Sequence, residues 1–517
     1  MNRSHSPYDV IDVFAGPGGL GEGFASAHDE YEKPLFEIAL SVERDEYAHK
    51  TLSLRHFLRH FPGGEIPDDY YSYLRNEISL DELYTHHNKE FRKAQESAPR
   101  ITLGKETHDQ VRQLIEQRLA GKKRWALVGG PPCQAYSLVG RSRMMGNPEF
   151  EQDERHFLYR EYLKLIIDHR PPVFVMENVK GILSARIAGE PIINRIVSDL
   201  ISPKAALEKN ANGLGYRLHS LSEEKSPEGD VDPHLFLVKA EEYGVPQARH
   251  RMFIVGIRED LDVKPKQLRR HKPPTVQQTI GNLPMVRSGL SRGCDTPENW
   301  RKEISELANL NLVTQLNGSP CAKAIASTIE LSLKDHACPD GRASTRYPGR
   351  SSERHPALDR FFDSRLSALT GHESRAHMAS DLRRYLYAAV YAKETGKCPK
   401  LADFPEALLP DHANVDLGLS GKMFSDRFRV QLPHRTSTTI TSHISKDGHY
   451  FIHYDPLQCR SLTVREAARL QTFPDNYKFE GSRTAQYHQV GNAVPPYLAS
   501  QIAEIIADVL DTMRGKE

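Results

Sequence analysis

Val10-Ile11-Asp12-Val13-Phe14-Ala15-Gly16-Pro17-Gly18-Gly19-Leu20-Gly21 is an apolar run that breaks into a glycine-rich turn, and a helix is predicted to follow from about Leu20 to Ala27. Gly16, Gly18 and Gly21 satisfy G-x-G-x-x-G in strand–turn–helix order. The physical roles of such glycines are a tight turn, close approach of the backbone to a ligand, and close helix packing. A second apolar run, Phe36 to Val42, ends at Glu43. An acidic residue at that edge can hydrogen-bond two ribose hydroxyls. The pattern predicts an α/β chain that binds a nucleotide-like cofactor. A dinucleotide and S-adenosylmethionine both fit, and a glycine-rich turn without a ligand is the plain alternative.

The same grammar recurs downstream. Trp125-Ala126-Leu127-Val128 reads as a short buried strand, stopped by Gly129-Gly130-Pro131-Pro132. The turn delivers Cys133 to the strand's carboxyl end, the edge where open α/β sheets bind ligands. A rigid Pro-Pro turn suits a nucleophile, because it fixes where the sulfur points. A packed free thiol is the commoner fate of a cysteine. The next strand, Val173 to Met176, carries Glu177-Asn178-Val179 at its end, so a carboxyl is expected beside Cys133 as a candidate acid or base. Farther on, Phe236 to Ala240 is a predicted strand. Tyr243 to Arg251 reads as a loop into another strand, Met252 to Ile257. Arg249 and Arg251 alternate and should share one side, where guanidiniums suit a phosphate or a base carbonyl. Surface salt-bridging is the plain alternative.

Bulk properties limit the rest. With 517 residues, 38% hydrophobic and 26% charged, the chain has length for more than one domain and apolar content for a sizeable core. A net charge of +1 announces no global field for nucleic acid, so any basic surface is local. Six scattered cysteines without a C-x-x-C pair argue for a reducing compartment. Cys321, His336 and Cys338 fit no standard zinc spacing, and no metal is expected. The polar N-terminus and the lack of a long apolar run predict a cytoplasmic protein without a membrane partner.

Taken together, Asp12–Gly19, Gly130–Ser137, Glu177–Val179 and Gln247–Arg251 resemble the ordered motifs of the DNA cytosine-C5 methyltransferases. Arg460 to Asp475 resembles the family's block that supports the recognition region, and Gln489-Val490-Gly491-Asn492-Ala493-Val494-Pro495-Pro496 its last cofactor-proximal block. The resemblance implies a Rossmann-like class I methyltransferase fold, a mostly parallel doubly wound sheet with a smaller target-recognition domain. It implies S-adenosyl-L-methionine as cofactor and double-stranded DNA as substrate. By that resemblance Cys133 attacks cytosine C6 and Glu177 contacts the N3 edge and exocyclic amine. Arg251 contacts O2, Arg249 holds the nucleophile loop, and Gln134 belongs to the same catalytic set. Phe14, Gly16, Pro17, Gly18, Gly19, Glu43, Pro131, Asn492 and Ala493 line the cofactor site. The target base must be flipped out of the duplex. The loop Leu138 to Pro148, with Arg141 and Arg143, is the natural closing element, and Ser137, Arg141 and Arg143 are expected to bind DNA. The family's adenine-binding Asp has no clear match; Glu77 is the candidate, blurred by an insertion over about 55–124.

The resemblance also divides the chain. Residues 1–272 are expected to be catalytic, 273–483 to recognise the target, and 484–517 to return to the catalytic domain. Gly341 to His355 is a Ser/Gly-rich loop with four arginines, of which Arg342, Arg346 and Arg350 are expected to enter a DNA groove; a solvated loop is the plain alternative. Met378 to Ala392 predicts an amphipathic helix, and Asp447-Gly448 between two β-prone runs predicts a hairpin. A faint likeness to methyltransferases of DISARM-type phage-defence systems, and the family's role in restriction–modification, make defence proteins expected partners of a monomer. A tRNA-directed cytosine-C5 methyltransferase is the nearest alternative, although that branch's Cys-Phe-Thr motif is absent.

Overall fold

The computed structural model describes residues 6–132, 154–187, 190–208, 213–223, 232–309, 321–334, 338–411 and 426–513. Cys133, Gln134, Ser137, Arg141 and Arg143 lie outside the described residues. The chain divides into two compact units. The first is Met1–Pro67, Leu80–Lys272 and Ala493–Glu517; the second is Asp68–Ser79 and Pro273–Asn492.

The first unit is built on a seven-stranded sheet. Its strands are β1 (Tyr8–Val13), β2 (Phe36–Val42), β3 (Trp125–Gly129), β4 (Val173–Val179), β5 (Tyr216–His219), β6 (Leu237–Lys239) and β7 (His250–Arg258). The order is β2-β1-β3-β4-β7-β5, with β6 also on β7. β2, β1, β3 and β4 pair in parallel, and β7 pairs antiparallel with β4, β5 and β6. Only β7 therefore runs against the rest. Every residue of β1 and β3 is buried, the continuous apolar run of strands covered on both faces. Register brings Val13, Gly129 and Met176 level, so the ends of β1, β3 and β4 are neighbours.

Helix α1 (Gly19–Ala25) follows the glycine-rich turn, and α2 (Glu46–Arg59) starts on Asp45, whose carboxylate accepts from the amides of Tyr47 and Ala48 at 3.1 and 2.9 Å. The C-terminal helix, Pro496–Thr512, packs on α1. The contact requires glycine at position 23. A Cβ there would lie 2.2 Å from Ala499 Cβ and 2.7 Å from the Pro496 carbonyl oxygen. Asp12, fully buried on β1, explains Gly21 in the same way: a Cβ on that glycine would come within 3.1 Å of Asp12 Oδ2.

The second unit packs around the helix Ala379–Thr395, whose Leu382, Tyr385, Leu386 and Val390 meet Trp300, Ile304, Phe404 and Phe428. The segment from Arg460 to Asp475 is held by buried ion pairs. Arg460 grips Glu466 in a fork at 2.7 and 2.7 Å, Arg469 grips Asp475 at 2.9 and 2.6 Å, and all four are buried. Thr463 and Glu466 close a capping box over the helix Val464–Leu470.

Three features depart from the sequence reading. Asp68–Ser79, numbered inside the expected catalytic insertion, is part of the second unit. The chain rejoins the first unit at Ala493 rather than near 484, because Arg483–Asn492 packs on the helix Val464–Leu470 and on the turn Ser442–Ser445. No hairpin joins 438–441 to 450–453. Ser442–Ser445 is a 3-10 turn, and Ile452 instead bridges Val430 and Ser461. Gly491 explains the turn: a Cβ there would lie 2.4 Å from the Ser442 nitrogen, so this backbone is committed to the helix. Among the described residues no helix is long and apolar enough to cross a membrane.

Gly23→Ala tests the helix docking by its sign. Helix propensity alone would stabilise the alanine by about 1 kcal/mol. Overpacking against Ala499 predicts a net loss of about 1–3 kcal/mol, read as a lower denaturation midpoint. A raised midpoint would refute the close contact.

Candidate active site

The carboxyl ends of β3 and β4 bring candidate site residues together. Beyond β3 the chain runs Gly129-Gly130-Pro131-Pro132. A Cβ on Gly129 would lie 2.7 Å from the Val13 carbonyl oxygen, and one on Gly130 would lie 3.0 Å from Glu177 Oε2. The paired glycines therefore let the turn pass closely over β1 and leave room for the Glu177 carboxyl. Asn178 ties the two strand ends together: its side-chain amide donates to the Pro131 carbonyl at 3.3 Å, while its Oδ1 accepts from the Val179 amide at 2.8 Å. The sequence showed Asn178 only as part of a motif; its partner lies 47 positions away.

Glu177 faces β7. Its Oε1 is 3.1 Å from Arg251 Nε, and both side chains are largely buried. β7 begins at His250, so Arg251 sits inside the strand, opposite Val179. Arg249, just before the strand, is 1% exposed, and its charge also acts on Glu177. Burial raises the Glu177 carboxyl above the usual range, and Arg251 and Arg249 oppose the rise. Burial drives Arg249 well below the ordinary arginine range and lowers Arg251, with Glu177 opposing both. The expected trio of Glu177, Arg249 and Arg251 is thus brought together, beside the backbone that leads into Cys133.

The glycine-rich turn forms a second feature of the same edge. Phe14, Gly16 and Gly18 take left-handed backbone at φ +59°, +58° and +95°. Such a backbone is unusual for a phenylalanine and costs about 1–3 kcal/mol. The Gly16 amide donates to Glu43 Oε2 at 2.8 Å, and Glu43 Oε1 accepts from the amides of Arg44 and Asp45 at 2.8 and 2.7 Å. The carboxylate is therefore fixed at the end of β2 with lone-pair capacity left over. The space where a Gly16 Cβ would stand is open to 4 Å, and Gly19 seats Ala493–Val494, with the Val494 oxygen 2.4 Å from its would-be Cβ. Burial pushes the Asp12 carboxyl beneath this turn up to about 7, with Arg59 opposing. An open glycine beside an anchored strand-end acid fits a cofactor that carries a ribose.

Other expected residues are placed differently. Glu77 belongs to the second unit and pairs with Arg75 at 2.6 Å, so it is no part of the unit that holds Glu43. The chain beside Glu43 is Arg100–Leu103, whose Ile101 amide donates to the Glu43 carbonyl at 3.1 Å. Asn492 is exposed and ends the second unit. Arg342 pairs with Asp295 at 3.1 Å, and Arg350 pairs with Asp359 at 3.0 Å. Arg346 is exposed, and its guanidinium forms no bond among the described residues. Among the described residues no group of three or more His, Cys, Asp or Glu could hold a metal ion.

The chain is similar in sequence to known proteins. The family model of the C-5 cytosine-specific DNA methylases matches residues 101–508. A type II methyltransferase of Bacillus paralicheniformis is 32% identical over 528 residues, covering 97% of this chain and 99% of that one. A DNA (cytosine-5-)-methyltransferase of Aeropyrum pernix is 25% identical over 432 residues, covering 76% of this chain and 83% of that one. A solved DNA modification methyltransferase encoded within an Escherichia coli prophage aligns at a TM-score of 0.47 and 18% identity, covering 98% of this chain and 99% of that one. The family is DNA-directed, which sets the tRNA alternative aside, and the chain belongs to the C-5 cytosine-specific DNA methylases.

Proposed function

We propose that the protein methylates C5 of a flipped-out cytosine in duplex DNA through a covalent bond between Cys133 and ring C6, using S-adenosyl-L-methionine. The observation that carries this reading is the buried Glu177 carboxyl, held between the Gly130 turn and Arg251 at the sheet's ligand edge. Phe14, Gly16, Pro17, Gly18, Gly19, Glu43, Pro131 and Ala493 would hold the cofactor, which would supply an electrophilic methyl group. The Cys133 thiolate adds to C6, and the electron pair displaced from the C5–C6 bond flows toward N3 and O2. Glu177 supplies a proton at N3 as that charge develops, and Arg251 donates to O2. C5 would then carry nucleophilic density toward the electrophilic methyl group that the cofactor would supply. Loss of the C5 proton to water, departure of the Cys133 sulfur as thiolate with the C6–S electron pair, and return of the N3 proton to Glu177 restore the aromatic ring.

Arg249 holds the nucleophile turn from beside Glu177, and Gln134 orients the base. Flipping costs a few kcal/mol, about what a handful of new contacts recovers. Ser137, Arg141 and Arg143 close over the extruded base and its phosphates. Of Arg342, Arg346 and Arg350, Arg346 is the one left to reach DNA, because Arg342 and Arg350 are engaged with carboxylates. The type II names of relatives support a role in marking host DNA within a restriction–modification system.

The purified protein is expected to transfer labelled methyl groups to duplex DNA and to form a denaturation-resistant adduct on DNA carrying 5-fluorocytosine. Cys133→Ala should abolish both; an adduct that survives Cys133→Ser refutes the nucleophile. Transfer to tRNA without transfer to DNA would overturn the substrate.

A raised carboxyl keeps its proton to higher pH than an ordinary Glu, so activity that needs the proton is present at low pH and lost as pH rises through the Glu177 value. Thiolate formation at Cys133 has the opposite sign and shapes the acidic limb. Glu177→Gln is therefore expected to lower kcat by about 10²–10⁴ and to remove the alkaline limb while keeping the acidic one. A pH profile of unchanged shape in that variant would show that Glu177 does not carry the proton.

A further inference from the structure

The second unit contains a segment that the sequence places elsewhere. Asp68–Ser79 leaves the numbering of the first unit and is bound wholly into the second. Its helix, Asp68–Leu74, turns three tyrosines onto that unit. Tyr70 donates to the Asn476 carbonyl at 2.5 Å, Tyr71 to Asp363 Oδ2 at 2.8 Å, and Tyr73 to Glu480 Oε1 at 2.7 Å. Arg365 stacks on the Tyr71 ring with its guanidinium carbon 4.6 Å from the centroid, and it also pairs with Asp68. The helix ends at Asn76, left-handed at φ +60°, and the Glu77 amide returns to the Ser72 carbonyl at 2.9 Å.

At the foot of this helix is a cavity of about 230 Å³. Asn76, Ser344, Thr345, Thr370, Glu373 and Lys478 are among the polar residues that line it, with His372, Arg465 and Gln486. Lys478 stands with its ammonium 3.4 Å from the centre of the Tyr73 ring. Among the described residues no carboxylate forms an ion pair with it, and burial pushes it below the ordinary lysine range, with Glu480 opposing. The Thr345 hydroxyl has no hydrogen-bond partner among the described residues, and the free guanidinium of Arg346 follows it in sequence. The carboxylate on the far wall, Glu373, is occupied by Arg483 at 3.4 Å and Arg342 at 3.6 Å. A half-buried ammonium in no direct ion pair among the described residues, whose opposing charge Glu480 already accepts from the Tyr73 hydroxyl, stands beside hydroxyl and amide donors and can take a further anion.

We infer that this cavity takes a backbone phosphate of the DNA substrate, with Lys478, Thr345 and Asn76 as donors, so that Asp68–Ser79 is part of the DNA-binding unit. The inference rests on the DNA reading above. Phosphate contacts set position rather than sequence, so the pocket anchors the duplex without choosing the cytosine. The cation–π contact gives Tyr73 a second part, holding the ammonium at the cavity's edge.

The test is the salt dependence of binding by the full-length protein, on a short duplex taken from a site that the wild type methylates in cellular DNA. Lys478→Gln is expected to weaken binding about five- to tenfold at low salt and to reduce the slope of log Kd against log salt by about 1, with the methylated sequence unchanged. Lys478→Arg should restore the slope. Thr345→Val, at an exposed position, should weaken binding in the same direction and covers the case in which loss of Lys478 undoes the segment's docking. Unchanged affinity and slope in both Lys478→Gln and Thr345→Val would overturn the inference. So would relaxed site selection at unchanged slope, which marks a base-reading pocket. A wild type that binds and methylates DNA while these variants behave normally sinks the pocket alone; a wild type that binds no DNA sinks the DNA reading with it.

Discussion

The site depends on the absence of side chains between β3 and β4. Glu177 can be buried at the end of β4 only because Gly130 leaves its carboxyl space, the would-be Cβ lying 3.0 Å from Oε2. Any larger residue there would displace either the carboxyl or the turn that leads to Cys133. Burial then raises the Glu177 carboxyl and depresses Arg249 and Arg251, so each charge is costly alone and is held by the others. Such a cluster is sensitive to any change in its charge, as a group that exchanges a proton during a reaction must be.

The rest of the first unit serves to keep that edge aligned. Parallel pairing of β1, β3 and β4 sets three strand ends level, and only β7, antiparallel to β4, can bring Arg251 back to the same height. A parallel neighbour would present its carboxyl end there instead, and an arginine at its start would sit at the far edge of the sheet. The reversed strand is thus what lets one short motif, Gln247 to Arg251, face another, Glu177 to Val179. The Asn178 bond to Pro131 adds a direct tie between the strand of Glu177 and the Gly130–Pro132 turn.

This edge was legible in sequence because each part is local. A glycine-rich break after an apolar run, a Pro-Pro turn and a strand-end acid each announce themselves within ten residues, and the sheet's strand order does the rest. Features that rest on distant partners were not legible. Arg342 and Arg350 look alike as groove readers, yet one is held by Asp295, 47 positions away, and the other by Asp359. Nothing in the spacing of Tyr70, Tyr71 and Tyr73 says that Asn476, Asp363 and Glu480 will receive them. The expected hairpin failed for the same reason: β-prone residues flank a good turn, but Gly491 claims the backbone between them.

The charge balance of the buried trio also bears on how the proposed reaction would be driven. Two guanidiniums face one carboxyl, so the site is short of negative charge whenever Glu177 is protonated. Attack by Cys133 on C6 would create negative charge on the cytosine ring at N3 and O2, where that deficit lies. Fixed positive groups in a water-poor site stabilise charge that develops during reaction more than charge already present in the substrate, because they need not reorient. A neutral cytosine would gain modestly from the cluster, and the adduct would gain more. On this view Arg249 and Arg251, together with the proton on Glu177, act on the barrier rather than on binding. The strain of burying them is the means by which the sheet edge would favour the attacked base over the stacked one.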